Sequence, residues 1–112
     1  MEKIVEQGLL YDFYGSLLTS HQQHIYEKAV YENLSLIEIA EEDGISRQAV
    51  HDLLRRCTSI LQKYDSKLGL IARFQRLEAD AEALEELGGR IRDPEVAEEA
   101  GKLAERIRRD LR

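Results

Sequence analysis

The chain has one cysteine and one proline in 112 residues. A lone cysteine closes no internal disulfide, and the absence of a cysteine pair suits a reducing cytoplasm, the expected location. With Pro94 as the only proline, helices meet few obligatory breaks. No segment alternates apolar and polar residues for long enough to read as a strand. No apolar run approaches the ~20 residues that span a bilayer. The first residues carry Glu2, Glu6 and Asp12 among their apolar groups, a pattern unlike a signal peptide. Gly/Ser linkers, low-complexity tracts and solenoid-length repeats are missing. So are the P-loop, the dinucleotide fingerprint, zinc-ligand spacing and the nucleophile elbow. These gaps point to a soluble, non-enzymatic protein with no cofactor, no small-molecule substrate and no membrane partner.

What is present is charge and helical periodicity. The formal net charge is -6, so the whole molecule should repel a phosphate backbone. Nucleic-acid affinity would have to come from a local basic patch. Apolar residues recur at helical spacing throughout, which predicts an all-α fold. A first helix is expected from about Ile4 to Gly15, rich enough in apolar groups to pack on two sides. A second opens at the capping box Thr19-Ser20-His21-Gln22 and ends near Asn33. A third repeats the device with Ser35 and Glu38 and stops at Gly44, where glycine suits a left-handed residue past a helix end. A fourth is capped by Ser46 and runs to about Tyr64. A fifth covers roughly Lys67 to Leu87, broken by Gly88-Gly89. A sixth opens with Asp93 as cap and Pro94 at its first position. The last two suit an antiparallel helical hairpin or a subunit interface, so the expected organisation is residues 1–66, with the motif at about 35–64, and a C-terminal hairpin, 67–112, that is part of the same compact domain or a dimerisation element.

The third and fourth helices form the informative unit. A short helix, a glycine turn and a capped second helix in close succession are the layout of a helix-turn-helix. Ile39 and Ala40 face inward, and alanine is small enough to let the next helix cross closely. Ile45 plugs the corner. On a helical wheel Val50, Leu53, Leu54, Cys57, Ile60, Leu61 and Tyr64 share one arc. Arg47, Gln48, His51 and Arg55 share the other, continued by Thr58, Ser59 and Gln62. Amide and guanidinium groups near a helix N-terminus are what recognition helices use to reach base edges in the major groove. From Ser46 to Lys63 four cations stand against Asp52 alone. Arg47 and Gln48 are the candidate base readers, Arg55 and Arg56 the candidate phosphate clamps, with Ser46 and His51 beside them. Asp52 and the run Glu41-Glu42-Asp43 work against phosphate affinity.

Other groups read more plainly. His21 and His24 lack a third metal ligand nearby and suit a solvated helix start. Cys57 falls on the inward arc and suits core packing, not catalysis. The aromatics of the first helix suit a core or a subunit interface more than base stacking. Arg106, Arg108, Arg109 and Arg112 complement the dipole of the last helix.

The stretch LSLIEIAEEDGISRQAV, Leu34 to Val50, resembles region 4 of bacterial sigma factors. Taken with LLYDFYGSLLT (Leu9 to Thr19), LSLIEIAEEDGISRQAVHDLLRR (Leu34 to Arg56) and the segment around KLGLIARF (Lys67 to Phe74), the chain resembles the YlxM-like family. These small bacterial proteins are associated with the signal recognition particle operon. The resemblance covers most of the chain as far as about Phe74. It implies a DNA-binding regulatory protein that acts in the signal recognition particle pathway, with DNA ahead of RNA as the target. The alternative is a non-catalytic protein-interaction or RNA-binding module that modulates the particle's components. Asp12, Tyr14 and Gly15 match the family's opening motif without any evident chemistry.

A homodimer is expected. The first helix and the stripe Leu103, Ile107, Leu111 offer more apolar surface than one short chain covers. A two-fold dimer on duplex DNA would hold its recognition helices roughly 34 Å apart.

Overall fold

The computed structural model describes residues 3–111. Six α-helices follow one another: α1 (Lys3–Tyr14), α2 (Ser20–Val30), α3 (Leu36–Asp43), α4 (Arg47–Leu68), α5 (Leu70–Gly88) and α6 (Pro94–Asp110), with a 3₁₀ turn at Gly15–Leu17. No strand occurs among the described residues. The all-α reading is therefore correct. The chain divides into two compact units, 1–71 and 72–112.

Local chemistry sets the helix ends of the first unit. At Thr19 and at Ser35 both halves of a capping box are made: the hydroxyl accepts from the amide three residues on, and the Gln22 or Glu38 side chain accepts from the cap's own amide. Ser46 Oγ accepts from the Ala49 amide at 3.0 Å. Gly44 is left-handed at φ 67° and ends α3. Asn33 (φ 54°) takes the same conformation after α2, where asparagine is the usual substitute for glycine.

α4 continues a turn beyond its expected end near Tyr64. Asp65-Ser66 looks like a polar break, but Ser66 Oγ donates back to the Lys63 carbonyl at 2.8 Å and the helix persists. Gly69, left-handed at φ 63°, is the true stop. The next helix consequently begins at Leu70, not Lys67.

Two apolar clusters hold this unit. Leu10, Tyr11, Tyr14, Leu18, Tyr26, Cys57 and Leu61 join α1, α2 and α4. Ile25, Ile39, Ala40 and Val50 join α2, α3 and α4, with Ile45 packed against them. The Tyr11 and Tyr26 rings stack at 5.5 Å, and Tyr14 stacks on Tyr64 at 6.2 Å. The aromatics of α1 are thus largely core groups, as is Cys57, whose thiol burial pushes its pKa up. Burial likewise pushes the Tyr11 phenol up to about 12, aided by Glu27.

The opening motif acquires a structural account. The Tyr14 hydroxyl donates to Asp65 Oδ1 at 2.7 Å and accepts from the Leu70 amide at 3.1 Å, and the Ile71 amide also points to Asp65. Tyr14 and Asp65 therefore satisfy orphan amides at the start of α5. A Cβ at Gly15 would sit 2.7 Å from the Tyr11 ring, so only glycine lets that ring lie there. Asp12 accepts a hydrogen bond from the Tyr31 hydroxyl.

The second unit is a helical hairpin with small residues in its seam. Ala81, Gly88, Ala100 and Ala104 are buried. A Cβ on Gly88 would lie 3.1 Å from that of Ala100. Asp93 caps α6, accepting from the Glu95 amide, and Pro94 takes the first helical position. Arg108 pairs with Glu85 at 2.6 Å.

Candidate nucleic-acid interface

The helix-turn-helix is built from α3, the turn at Gly44 and α4. Val50, Cys57 and Leu61 are fully buried, and Leu53, Leu54, Ile60 and Tyr64 are half-buried against the clusters. Ser46, Arg47, Gln48, His51, Arg55 and Arg56 are exposed. The structure therefore places all six candidate residues at the surface, along the first three turns of one helix. None of the ion pairs among the described residues uses Arg47, Arg55 or Arg56.

Two features of this face escape the wheel. Gln48 Nε2 donates to Asp52 Oδ1 at 3.0 Å, and His51 Nδ1 lies 3.6 Å from the same oxygen. Asp52 thus holds one candidate base reader in place and lowers the local positive potential. The spacing of four residues between Gln48 and Asp52 was the available signal. Thr58 does not continue the exposed arc. It is half-buried, hydrogen-bonded to the Tyr26 hydroxyl at 2.9 Å and within 3.4 Å of Gln7 Nε2. The reason is α1, which packs along that side of α4 beyond the reach of local periodicity.

α1 also converts the exposed face into a groove. A cavity of about 490 Å3 is bordered by Lys3 and Gln7 on α1 and by His51, Arg55, Thr58 and Gln62 on α4. A second, of about 350 Å3, lies at the start of the motif beside Ile37, Arg47, Gln48 and His51. Lys3 and Gln7 were not foreseen as neighbours of the site, since nothing in their own spacing marks them.

The turn itself is braced from behind. Lys28 Nζ donates to Glu42 Oε1 and Asp43 Oδ1, both at 3.1 Å, and its side chain is only 10% exposed. His24 Nε2 lies 3.4 Å from Asp43 Oδ1. Lys28 holds the Asp43 carboxyl below the usual carboxylate range, and Asp43 in turn raises the Lys28 ammonium. Much of the acidic run at the end of α3 is therefore turned toward α2, and His24 serves a brace.

A capped, exposed, cationic helix set across a short helix by a left-handed glycine defines a helix-turn-helix protein. The chain belongs to the UPF0122 family, described as "Putative helix-turn-helix protein, YlxM / p13 like", which matches over residues 1–101. The match reaches well past Phe74 and takes in much of the hairpin. Similar proteins include the UPF0122 protein of Symbiobacterium thermophilum, 49% identical over 76 residues, covering 68% of this chain and 71% of that one. That of Thermoanaerobacter sp. is 42% identical over 107 residues, covering 92% and 88%. That of Shouchella clausii is 37% identical over 107 residues, covering 96% and 95%. The family is described as one of helix-turn-helix proteins. No helix among the described residues is long and apolar enough to cross a membrane.

Proposed function

We propose that this chain is a cytoplasmic DNA-binding regulatory protein that lays α4 in the major groove, as sigma factor region 4, which it resembles, is built to do. The observation that carries the reading is the exposed face of α4: Arg47, Arg55 and Arg56 enter no ion pair among the described residues, in an otherwise acidic chain. Arg47 and Gln48, nearest the helix start, read base edges. Arg55 and Arg56 contact phosphate, and Ser46 and His51 complete the surface. Two copies act together, because one helix with so few cations gains affinity when paired. The YlxM-like resemblance supports a role in the signal recognition particle pathway.

A second reading has its own support. The 490 Å3 cavity between α1 and α4, lined by His51, Arg55 and Gln62, offers polar groups to a base lifted out of a helix. Such splayed bases belong to RNA loops, and this favours an RNA component of the targeting pathway as the alternative partner.

The test is binding of labelled duplex DNA and of signal recognition particle RNA over a range of salt. Arg47→Ala/Arg55→Ala should weaken binding and flatten the salt slope by roughly one unit per lost phosphate contact. If the double variant binds as well as wild type with the same slope, α4 is not the contact surface. Capture from lysate with and without nuclease reads out the pathway role. Recovery of targeting components supports it, and their absence in both arms removes it.

A further inference from the structure

α4 carries a carboxylate where its exposed face projects furthest. At roughly 100° per residue, Gln48, Asp52, Arg55 and Ser59 lie within about 40° of the line opposite buried Val50, Cys57 and Leu61. Arg47 stands to one side of that ridge and Arg56 to the other. The Asp52 side chain is 44% exposed. Arg55 and Arg56, three and four residues on, are the usual helical partners of an aspartate. They border the same shallow cavity as Asp52, together with Ser59. Yet no ion pair among the described residues joins either arginine to it. Asp52 Oδ1 accepts from Gln48 Nε2 at 3.0 Å instead, with His51 Nδ1 3.6 Å away. No hydrogen bond among the described residues uses Asp52 Oδ2.

A carboxylate there opposes phosphate binding, in a chain that is already acidic. The major groove offers it a different partner. Its hydrogen-bond donors are the exocyclic amines, cytosine N4 and adenine N6, whereas guanine and thymine turn acceptors and a methyl toward it. A helix laid in that groove brings the start of its outermost ridge, Gln48 and Asp52, closest to the base edges, and Arg55 and Ser59 continue the ridge toward the groove's rim. The carboxylate then either meets an amine or is stripped of water unpaired, which is costly. Adenine sets the acceptor N7 beside its amine, against a carboxylate that holds only acceptors. Cytosine has no acceptor on that side of its own amine, so it is the better match.

We infer that Asp52 is a specificity-determining residue of the DNA site: its Oδ2 accepts a hydrogen bond from the N4 amine of a cytosine, while Gln48 holds the carboxylate in place through Oδ1. The inference rests on the DNA-binding reading above and assigns one base of its target. The charge that weakens binding to every duplex weakens it most where no amine is offered, so it trades affinity for discrimination. Arg55 and Arg56, unpaired with Asp52, stay available to phosphate.

The test is selection from a pool of randomised duplexes by the full chain, comparing wild type, Asp52→Ala and Asp52→Lys. Circular dichroism checks that each variant is folded, and both new residues are strong helix formers. Wild type should favour cytosine at one position by roughly tenfold. Asp52→Ala should accept all four bases there nearly equally and keep its preferences elsewhere. Asp52→Lys, which presents donors alone, should turn that position toward guanine, and it decides even if the alanine variant fails to fold. Affinity of Asp52→Ala for an unselected duplex should rise several-fold, because a charge of the wrong sign is gone. A purely structural Asp52 would weaken the preference at every position alike, and that result would overturn the inference. So would unchanged preferences in both variants, or a preference lost at a base other than cytosine. A wild type that enriches no sequence would overturn the DNA reading together with this assignment. Loss of binding in Arg47→Ala/Arg55→Ala beside unchanged preferences in the Asp52 variants would overturn this assignment alone.

Discussion

The two units of this chain reach a packed interior by opposite means. The first interlocks large side chains: Tyr14, Ile25, Tyr26, Ile39, Val50 and Leu61 are all essentially inaccessible. The second brings two helices together on alanine and glycine and leaves Leu77, Leu87, Val96 and Leu103 exposed. A core of large groups buries much area per residue and fixes one geometry. A seam of small groups allows close approach but gains little area. The difference teaches that the first unit holds its geometry by interlocking bulk, whereas the hairpin holds its own by the close approach of two helix backbones.

The sharpest way to break the first unit is Val50→Asp. An unpaired carboxylate would occupy a fully buried site between α2, α3 and α4, at a cost of several kcal/mol, on the order of 4 or more. Thermal denaturation should show loss of the cooperative transition; an unchanged midpoint would mean the core there is not closed. The hairpin has a matching weak point in Gly88→Val. The added atoms meet Ala100 at a 3.1 Å approach, which forces the helices apart and costs about 1–3 kcal/mol. Limited proteolysis should then cleave within residues 72–111 and spare the first unit, which separates the two regions experimentally.

Tyr14→Phe tests the long-range tie inside the first unit. It leaves Asp65 and the Leu70 amide without the phenolic oxygen, which should lower stability by roughly 1–2 kcal/mol. Asp43→Asn probes the brace behind the turn through pH. The folded carboxyl titrates below its ordinary range, so its contribution is full at neutral pH and vanishes as pH falls through the depressed value. Lys28, raised, keeps its charge throughout that window. The gap in melting temperature between wild type and Asp43→Asn should therefore narrow from pH 7 toward pH 3. A constant gap would show that the ion pair is not the source. The smallest effect on the fold belongs to Arg47→Ala and Arg55→Ala, each within about 0.5 kcal/mol by denaturant titration. A larger loss would mean that the exposed face of α4 is structural.

The parts legible in the sequence were those governed by neighbours a few residues apart. Thr19 with Gln22, Ser35 with Glu38, Ser46, Gly44 and Asp93-Pro94 each act within one turn, and their helix starts and stop fell where expected. The exposed arc from Arg47 to Arg56 follows from the same local period. What was not legible depends on contacts across the chain. Tyr14 meets Asp65 and Leu70 more than fifty residues away, so its role leaves no trace in spacing. Thr58 changes sides because α1 arrives beside it, and Lys3 and Gln7 enter the site for the same reason. α4 runs past its expected end near Tyr64 because its stop is set by the left-handed backbone of Gly69. The stripe Leu103, Ile107 and Leu111 is visible in the sequence, but Leu111 borders a groove with Glu78, Glu82 and Arg108, a division that emerges only when the register of both helices is known.

The single thiol of Cys57 sits where three helices meet, wholly shielded from solvent. No reagent reaches it while α1, α2 and α4 remain assembled, and its raised pKa withholds the reactive thiolate besides. The rate at which an added disulfide reagent consumes it therefore counts openings of the first unit under native conditions. The molecule carries its own clock, one per chain. A nucleic-acid partner that grips α4 should slow it, whereas a partner confined to the hairpin should leave it running at the same pace.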